Sequence, residues 1–242
     1  MSAVIPSSVL SDLVLKNVSL IPVLNRFGIP LGLGNSTVSE ICETYHIDLQ
    51  FFLCVTNSFL DPGFSGVLTL SREHAHLTME YLERANQYYA QAQVPNIRIH
   101  IISFLKKSVP GKGVSDNIMA ILSELEQAVN AFAEKDEKEL FPLLRELSRA
   151  EELKVDDWAL RFDDTETDER FNAAKSIVED LMQILIRYIK GKFDPNLLHG
   201  VIYALSSLRN DLESNTRLRT RIFLPVMTAL RSRATYDNDP KQ

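Results

Sequence analysis

Cysteine is scarce in this chain: Cys42 and Cys54 are the only two among 242 residues. Two isolated thiols make neither a disulfide framework nor a paired zinc motif, and both read as small buried hydrophobes. Long apolar runs are missing too. None reaches the roughly 20 residues that a helix needs to cross a bilayer. The opening stretch MSAVIPSSVLSDLVLKN lacks the basic start and continuous apolar centre of a secretory leader. A cytoplasmic location is therefore expected. Positive charge is not in excess, because 26 Lys and Arg face 32 Asp and Glu, a net charge of −6. Such a balance gives no whole-chain attraction to nucleic acid or anionic lipid, and neither nucleic acid nor membrane is an expected partner. Sustained strand alternation is absent as well, which excludes a sheet-based fold.

What the chain does have is apolar residues in helical spacing, at 45% of the composition. That fraction supplies a buried core. Ser7 and Ser8 are candidate caps for a first helix over 9–16. A second helix covers 18–27, with Pro22 in its first turn or at a bend. Residues 28–37, GIPLGLGNST, form a loop. Thr37 with Glu40 three residues later fits a capping box for the next helix, and Asp48 caps the one after. From residue 71 the helices lengthen. Pro95 is expected to bend or break the first of them. Residues 109–113, VPGKG, read as a loop. Ser115 or Asp116 starts the second long helix, residues 165–190 form the third, and Asp194-Pro195 opens a fourth that reaches about 233. The acidic stretch 151–169, with Trp158, reads as a solvated linker. The domain reading is 1–64 as a small helical domain, 65–236 as four long helices, and 237–242 as a polar tail.

Two stretches organise the long helices: AFAEKDEKELFPLL at 131–144 and NDLESNTRLRTRIFLPVM at 210–227. Each ends in an apolar group broken by proline, Leu140-Phe141-Pro142 and Phe223-Leu224-Pro225. They resemble a hemerythrin-type metal helix, His-x-x-x-Glu followed by Leu-Phe-Pro. The earlier stretch LIPVLNRFGIPLGLGNSTVSEICETYHIDLQFFL resembles the short N-terminal domain of the iron–sulfur cluster repair (repair of iron centres) proteins. Residues 71–233 resemble their C-terminal domain. The resemblance implies an all-α fold, a hemerythrin-like antiparallel four-helix bundle preceded by a small helical domain.

The residues that carry the family's chemistry are replaced. Its adjacent cysteines fall in a loop that here reads Leu31-Gly32-Leu33-Gly34. Its di-iron site uses four histidines and two bridging carboxylates. Motif against motif, the ligand positions fall on Asn86, Phe132, Asp136, Asp164, Asn215 and Arg219. Phe cannot coordinate iron, and Arg is a permanent cation. No metal, no other cofactor and no catalytic residue is expected. In the family's register Asp136 and Arg219 would meet as an ion pair, with Asn86, Asn215 and Asp164 satisfying the remaining bonds. The other arrangement turns Arg219 outward to water. Arg217 and Arg221 belong to a fourth-helix face read as solvated. The five histidines form no metal constellation, and Gly111-Lys112-Gly113 lacks phosphate-loop spacing.

The functional expectation is a non-catalytic, metal-free interaction or regulatory module, set by the family's context in a stress response. It would work through a protein partner or a homodimer. The alternatives are a small-molecule sensor using the vacated bundle interior, and residual iron-dependent repair activity.

Overall fold

The computed structural model describes residues 3–64, 72–110, 113–142, 144–145 and 164–219. The described residues are mostly helical, an all-α chain with a single two-residue ladder among them. No helix among them is long and apolar enough to cross a membrane. Trp158 with the rest of 151–163, Pro225, Arg221 and the 237–242 tail lie outside the described residues. The chain divides into two compact units: Met1–Leu82 with Phe141–Phe162 and Ser214–Gln242, and Glu83–Leu140 with Asp163–Glu213. Each is described by itself.

The first unit begins with α1 (Leu10–Lys16), a 3-10 turn (Val18–Leu20) and α2 (Ile21–Arg26), which has Pro22 in its first turn. Helices α3 (Val38–Thr44), α4 (Leu49–Leu60) and the opening part of α5 (Arg72–Tyr88) follow. The Thr37–Glu40 capping box forms in full, and the Asp48 side chain accepts from Phe51 N at 2.6 Å. The expected serine cap of α1 does not form. Val9 is the N-cap and has no side-chain acceptor, while Ser8 Oγ accepts from Ile5 N at 3.1 Å. The Ser8 backbone is committed elsewhere, since its carbonyl accepts from Val38 N at 2.8 Å. That bond, with Leu10 N to Ser36 O at 3.1 Å, ties the chain start to the α3 entry. Leu10, Leu20, Leu24, Val38 and Phe52 form the buried centre. Phe27 packs among Phe51, Phe52 and Tyr81.

The second unit takes up the end of α5. Pro95 does not break the helix. A π-helical segment (Tyr89–Gln93) carries the run into α6 (Val94–Lys106). Proline has no N–H for the carbonyl four residues back, and a locally widened turn absorbs the missing bond. Next come β1 (Val109–Pro110), α7 (Val114–Lys135) and a second π segment (Asp136–Leu140). Pro142 follows that segment two residues on, as Pro95 follows the first. Helix α7 opens at Val114, earlier than Ser115 or Asp116, because Gly113 takes a left-handed φ of 81° and turns the chain into the helix. Helix α8 (Asp164–Gln183), a third π segment (Ile184–Tyr188), β2 (Gly191–Lys192) and α9 (Pro195–Leu218) complete the order. Residues 109–110, expected as loop, pair antiparallel with β2, Val109 opposite Lys192. Asp194 Oδ1 caps α9, accepting from Asn196 N at 2.9 Å. Side chains from α5–α6, α7, α8 and α9 meet in one core that includes Ile101, Phe104, Leu122, Leu125, Val178 and Leu205.

Candidate functional site

Helical spacing puts Asn86 on the face of α5 that also carries the buried Ala85 and Tyr89. Asp136 opens the π segment after α7, one turn beyond Phe132. The two meet: Asn86 Nδ2 donates to Asp136 Oδ2 at 2.7 Å, and both side chains are buried. Asn86 Oδ1 has no hydrogen-bond partner among the described residues. Beside this bond the second unit places three rings. Phe132 stacks on Phe171 with centroids 4.1 Å apart, and Tyr89 meets it edge-on at 6.0 Å. Phe132 is fully buried. One turn of helix thus places a buried carboxylate and a buried arene side by side, with an amide as the carboxylate's donor. Among the described residues, no group of three or more His, Cys, Asp or Glu side chains is placed to hold a metal ion. The set does not fit a di-iron centre, because an aromatic hydrocarbon and a neutral amide surround the single carboxylate Asp136.

Asn215 and Arg219 belong to the first unit. Arg219 Nε donates to Asn215 Oδ1 at 3.2 Å, one helical turn back. Arg219 is 1% exposed, so its side chain does not turn outward to water. Asp136 and Arg219 lie in different units. Asp164 is the first residue of α8, and its side chain lies outside the described residues.

The loop at Leu31, Gly32, Leu33 and Gly34 keeps a glycine backbone without thiols. Gly32 and Gly34 have φ of 101° and 56°, and a Cβ on either would meet open space. Backbone conformation alone therefore selects glycine at both. Leu31 stands exposed on this loop. Cys42 and Cys54 are free, buried thiols on α3 and α4, away from this loop. Burial pushes both thiols up to about 11, with the Asp48 charge adding to the rise at Cys42. Neither is a thiolate at neutral pH.

Sequence reasoning missed two buried cations. Arg26 is 2% exposed, its Nη1 donating to Tyr81 Oη at 3.2 Å and its guanidinium lying over that ring. Lys135, beside Asp136, is also buried, and its Nζ reaches Glu139 at 3.8 Å. Arg217 is not part of a solvated face. Its Nη2 donates to Ser214 Oγ at 2.8 Å and to the Phe59 carbonyl at 3.4 Å, because α4 packs against this stretch of the same unit. A small recess lined by Phe51, Val55, Thr78, Tyr81, Leu82, Leu218 and Arg219 holds about 10 Å³ of free space, room for roughly one water. No family model, no curated protein and no solved structure matches this chain.

Proposed function

We propose that this chain is a metal-free, hemerythrin-like interaction or regulatory protein whose ancestral ligand positions have become packing positions. The same proposal takes the four helical runs, α5–α6, α7, α8 and α9, as an antiparallel bundle. It takes residues 1–64 as a small N-terminal domain. The observation that carries the reading is Phe132. It fills the position that the resemblance gives to an iron-binding histidine, and it is stacked into the core on Phe171. An arene there contributes dispersion and hydrophobic burial and has no lone pair for a metal. Asp136, the carboxylate of the same motif, is satisfied by an amide donor at 2.7 Å. The packed rings also weigh against a sensor pocket at this place. With the chemistry replaced by packing, the retained function is contact with a protein partner or a second copy.

Elemental analysis with a visible spectrum tests the reading, on protein purified without chelator and again after iron loading. The expected result is no stoichiometric metal and no oxo-bridge absorption. Iron bound at about two per chain, the count of the family's two-metal site, would sink the proposal and restore iron-dependent repair chemistry. Sedimentation equilibrium then separates a homodimer from a monomer that needs a different partner.

A further inference from the structure

Five cations and three exposed apolar side chains gather at one end of the second unit. Helices α6 and α8 finish there, α7 and α9 begin there, and the β1–β2 ladder ties the two connections together. Lys106, Lys107, Arg187, Lys190 and Lys192 are all exposed. None of them makes an ion pair among the described residues. Between them stand Val109 at 72% exposure, Ile186 at 64% and Tyr188 at 63%. Phe193, next to Lys192, anchors the end from below by packing on Phe104. Two carboxylates stand nearby, Asp116 in the first turn of α7 and Asp194. Asp194 is engaged in capping α9.

Helix dipoles account for part of this. Cations at the ends of α6 and α8 face partial negative charge. Lys190 and Lys192 lie beyond any helix, and the dipole gives Val109, Ile186 and Tyr188 no reason to be in water. In a chain with a net charge of −6, five cations surround three exposed apolar side chains at this end.

We propose that this end docks onto the anionic headgroups of a lipid surface. Lysine and arginine would meet phosphate and carboxylate groups, and Val109, Ile186 and Tyr188 would enter the headgroup–acyl boundary, where a tyrosine keeps its hydroxyl wet. Three apolar side chains are few for a protein interface, which buries on the order of 800 Å² per partner. They are enough to anchor a contact whose attraction comes mainly from charge. The rest of the acidic chain is repelled by such a surface, so this end sets the orientation. The inference does not depend on the metal-free reading, since iron loading leaves these residues untouched.

The test is co-sedimentation of the full chain with phosphatidylserine–phosphatidylcholine vesicles, against vesicles of phosphatidylcholine alone. The chain is expected to sediment only with the anionic vesicles and to be released by high salt. The triple variant Lys107→Glu, Lys190→Glu, Lys192→Glu should lose about tenfold or more in affinity. Tyr188→Ala should weaken binding while leaving its salt dependence in place. A charge-matched control, Lys16→Glu, Lys138→Glu, Lys175→Glu, should bind within a few-fold of the unmodified chain, which separates the site from net charge. Far-UV circular dichroism confirms that each variant is folded. No preference for anionic vesicles, or equal loss in the two triple variants, overturns the proposal. Lysine-dependent capture of a poly-glutamate peptide without vesicle binding also overturns it and assigns this end to an acidic protein.

Discussion

Phe132 lies nearly flat on Phe171, with ring planes at 25° and centroids 4.1 Å apart. Tyr89 closes the third side edge-on. All three are fully buried, so truncating the middle ring removes contacts that the neighbours cannot easily restore. Phe132→Ala should destabilise the protein by about 3–5 kcal/mol, read from urea unfolding. Phe132→His is the sharper variant. It introduces one imidazole beside Asp136 but supplies no second histidine, so it should cost stability and bind no iron. Stoichiometric iron in that variant would show that the remaining positions are still a metal site.

The Asn86–Asp136 bond gives a second prediction. Asn86→Ala leaves a buried carboxylate short of a donor and should cost about 1–3 kcal/mol. Asn86→Asp places a second carboxyl where the amide donated at 2.7 Å. Two carboxylates at that separation cannot both be ionised without a large cost. The loss should therefore be greatest near neutral pH and shrink in acid, as the introduced carboxyl takes up a proton. Denaturant unfolding of both variants across the acid range checks this. A loss independent of pH would mean that water or the buried Lys135 compensates the charge.

The helical class and several boundaries were legible because local chemistry fixes them. Thr37, Asp48 and Asp194 were readable caps, and each makes its bond. What the sequence hid was non-local. Pro95 reads as a break because propensity sees only the lost N–H, whereas packing of Ile97, Ile101 and Phe104 holds the run together and the backbone yields by a π segment. The Val109–Lys192 ladder joins residues too far apart for any pattern to link. Arg217 read as a surface cation because arginine usually is one, and Arg26 drew no reading at all. Their partners are a carbonyl on α4 for Arg217 and a ring on α5 for Arg26, which no window around either residue contains. At the candidate site the residue types at Asn86, Phe132 and Asp136 were readable, but the Asn86–Asp136 bond and the stacking of Phe132 on Phe171 were not.

The capping box at α3 gives a third prediction. Thr37 Oγ1 accepts from Glu40 N at 3.3 Å, and Glu40 Oε2 accepts from Thr37 N at 2.8 Å. The Thr37 backbone and hydroxyl hold the Glu40 carboxyl below its ordinary 4.5. Its contribution is therefore present above that value and lost as pH falls through the lowered one. Thr37→Ala should cost about 0.5–2 kcal/mol. Thr37→Ala and Glu40→Gln should be less than additive, because each removes half of one reciprocal arrangement. Additive losses in a double-mutant cycle would show the two bonds to be independent.

The buried thiols set the alkaline limit. Cys42 and Cys54 are raised from 9.0 to about 11 in the folded chain, chiefly by burial. Unfolding returns both to water. Between 9.0 and 11 the unfolded chain has released thiol protons that the folded chain still holds, so the unfolded state binds fewer protons. Stability then falls as pH rises through that window. Below 9.0 the thiols are neutral in both states and contribute no slope. Lysines and tyrosines titrate in the same range, so the informative quantity is a difference. The variant Cys42→Ala, Cys54→Ala should start lower in stability, from lost packing, and then decline less steeply with pH. Thiol labelling should track the same physics, with native Cys42 and Cys54 reacting slowly until global unfolding exposes them. Parallel stability profiles with fast native labelling would mean that both thiols reach solvent in the folded chain.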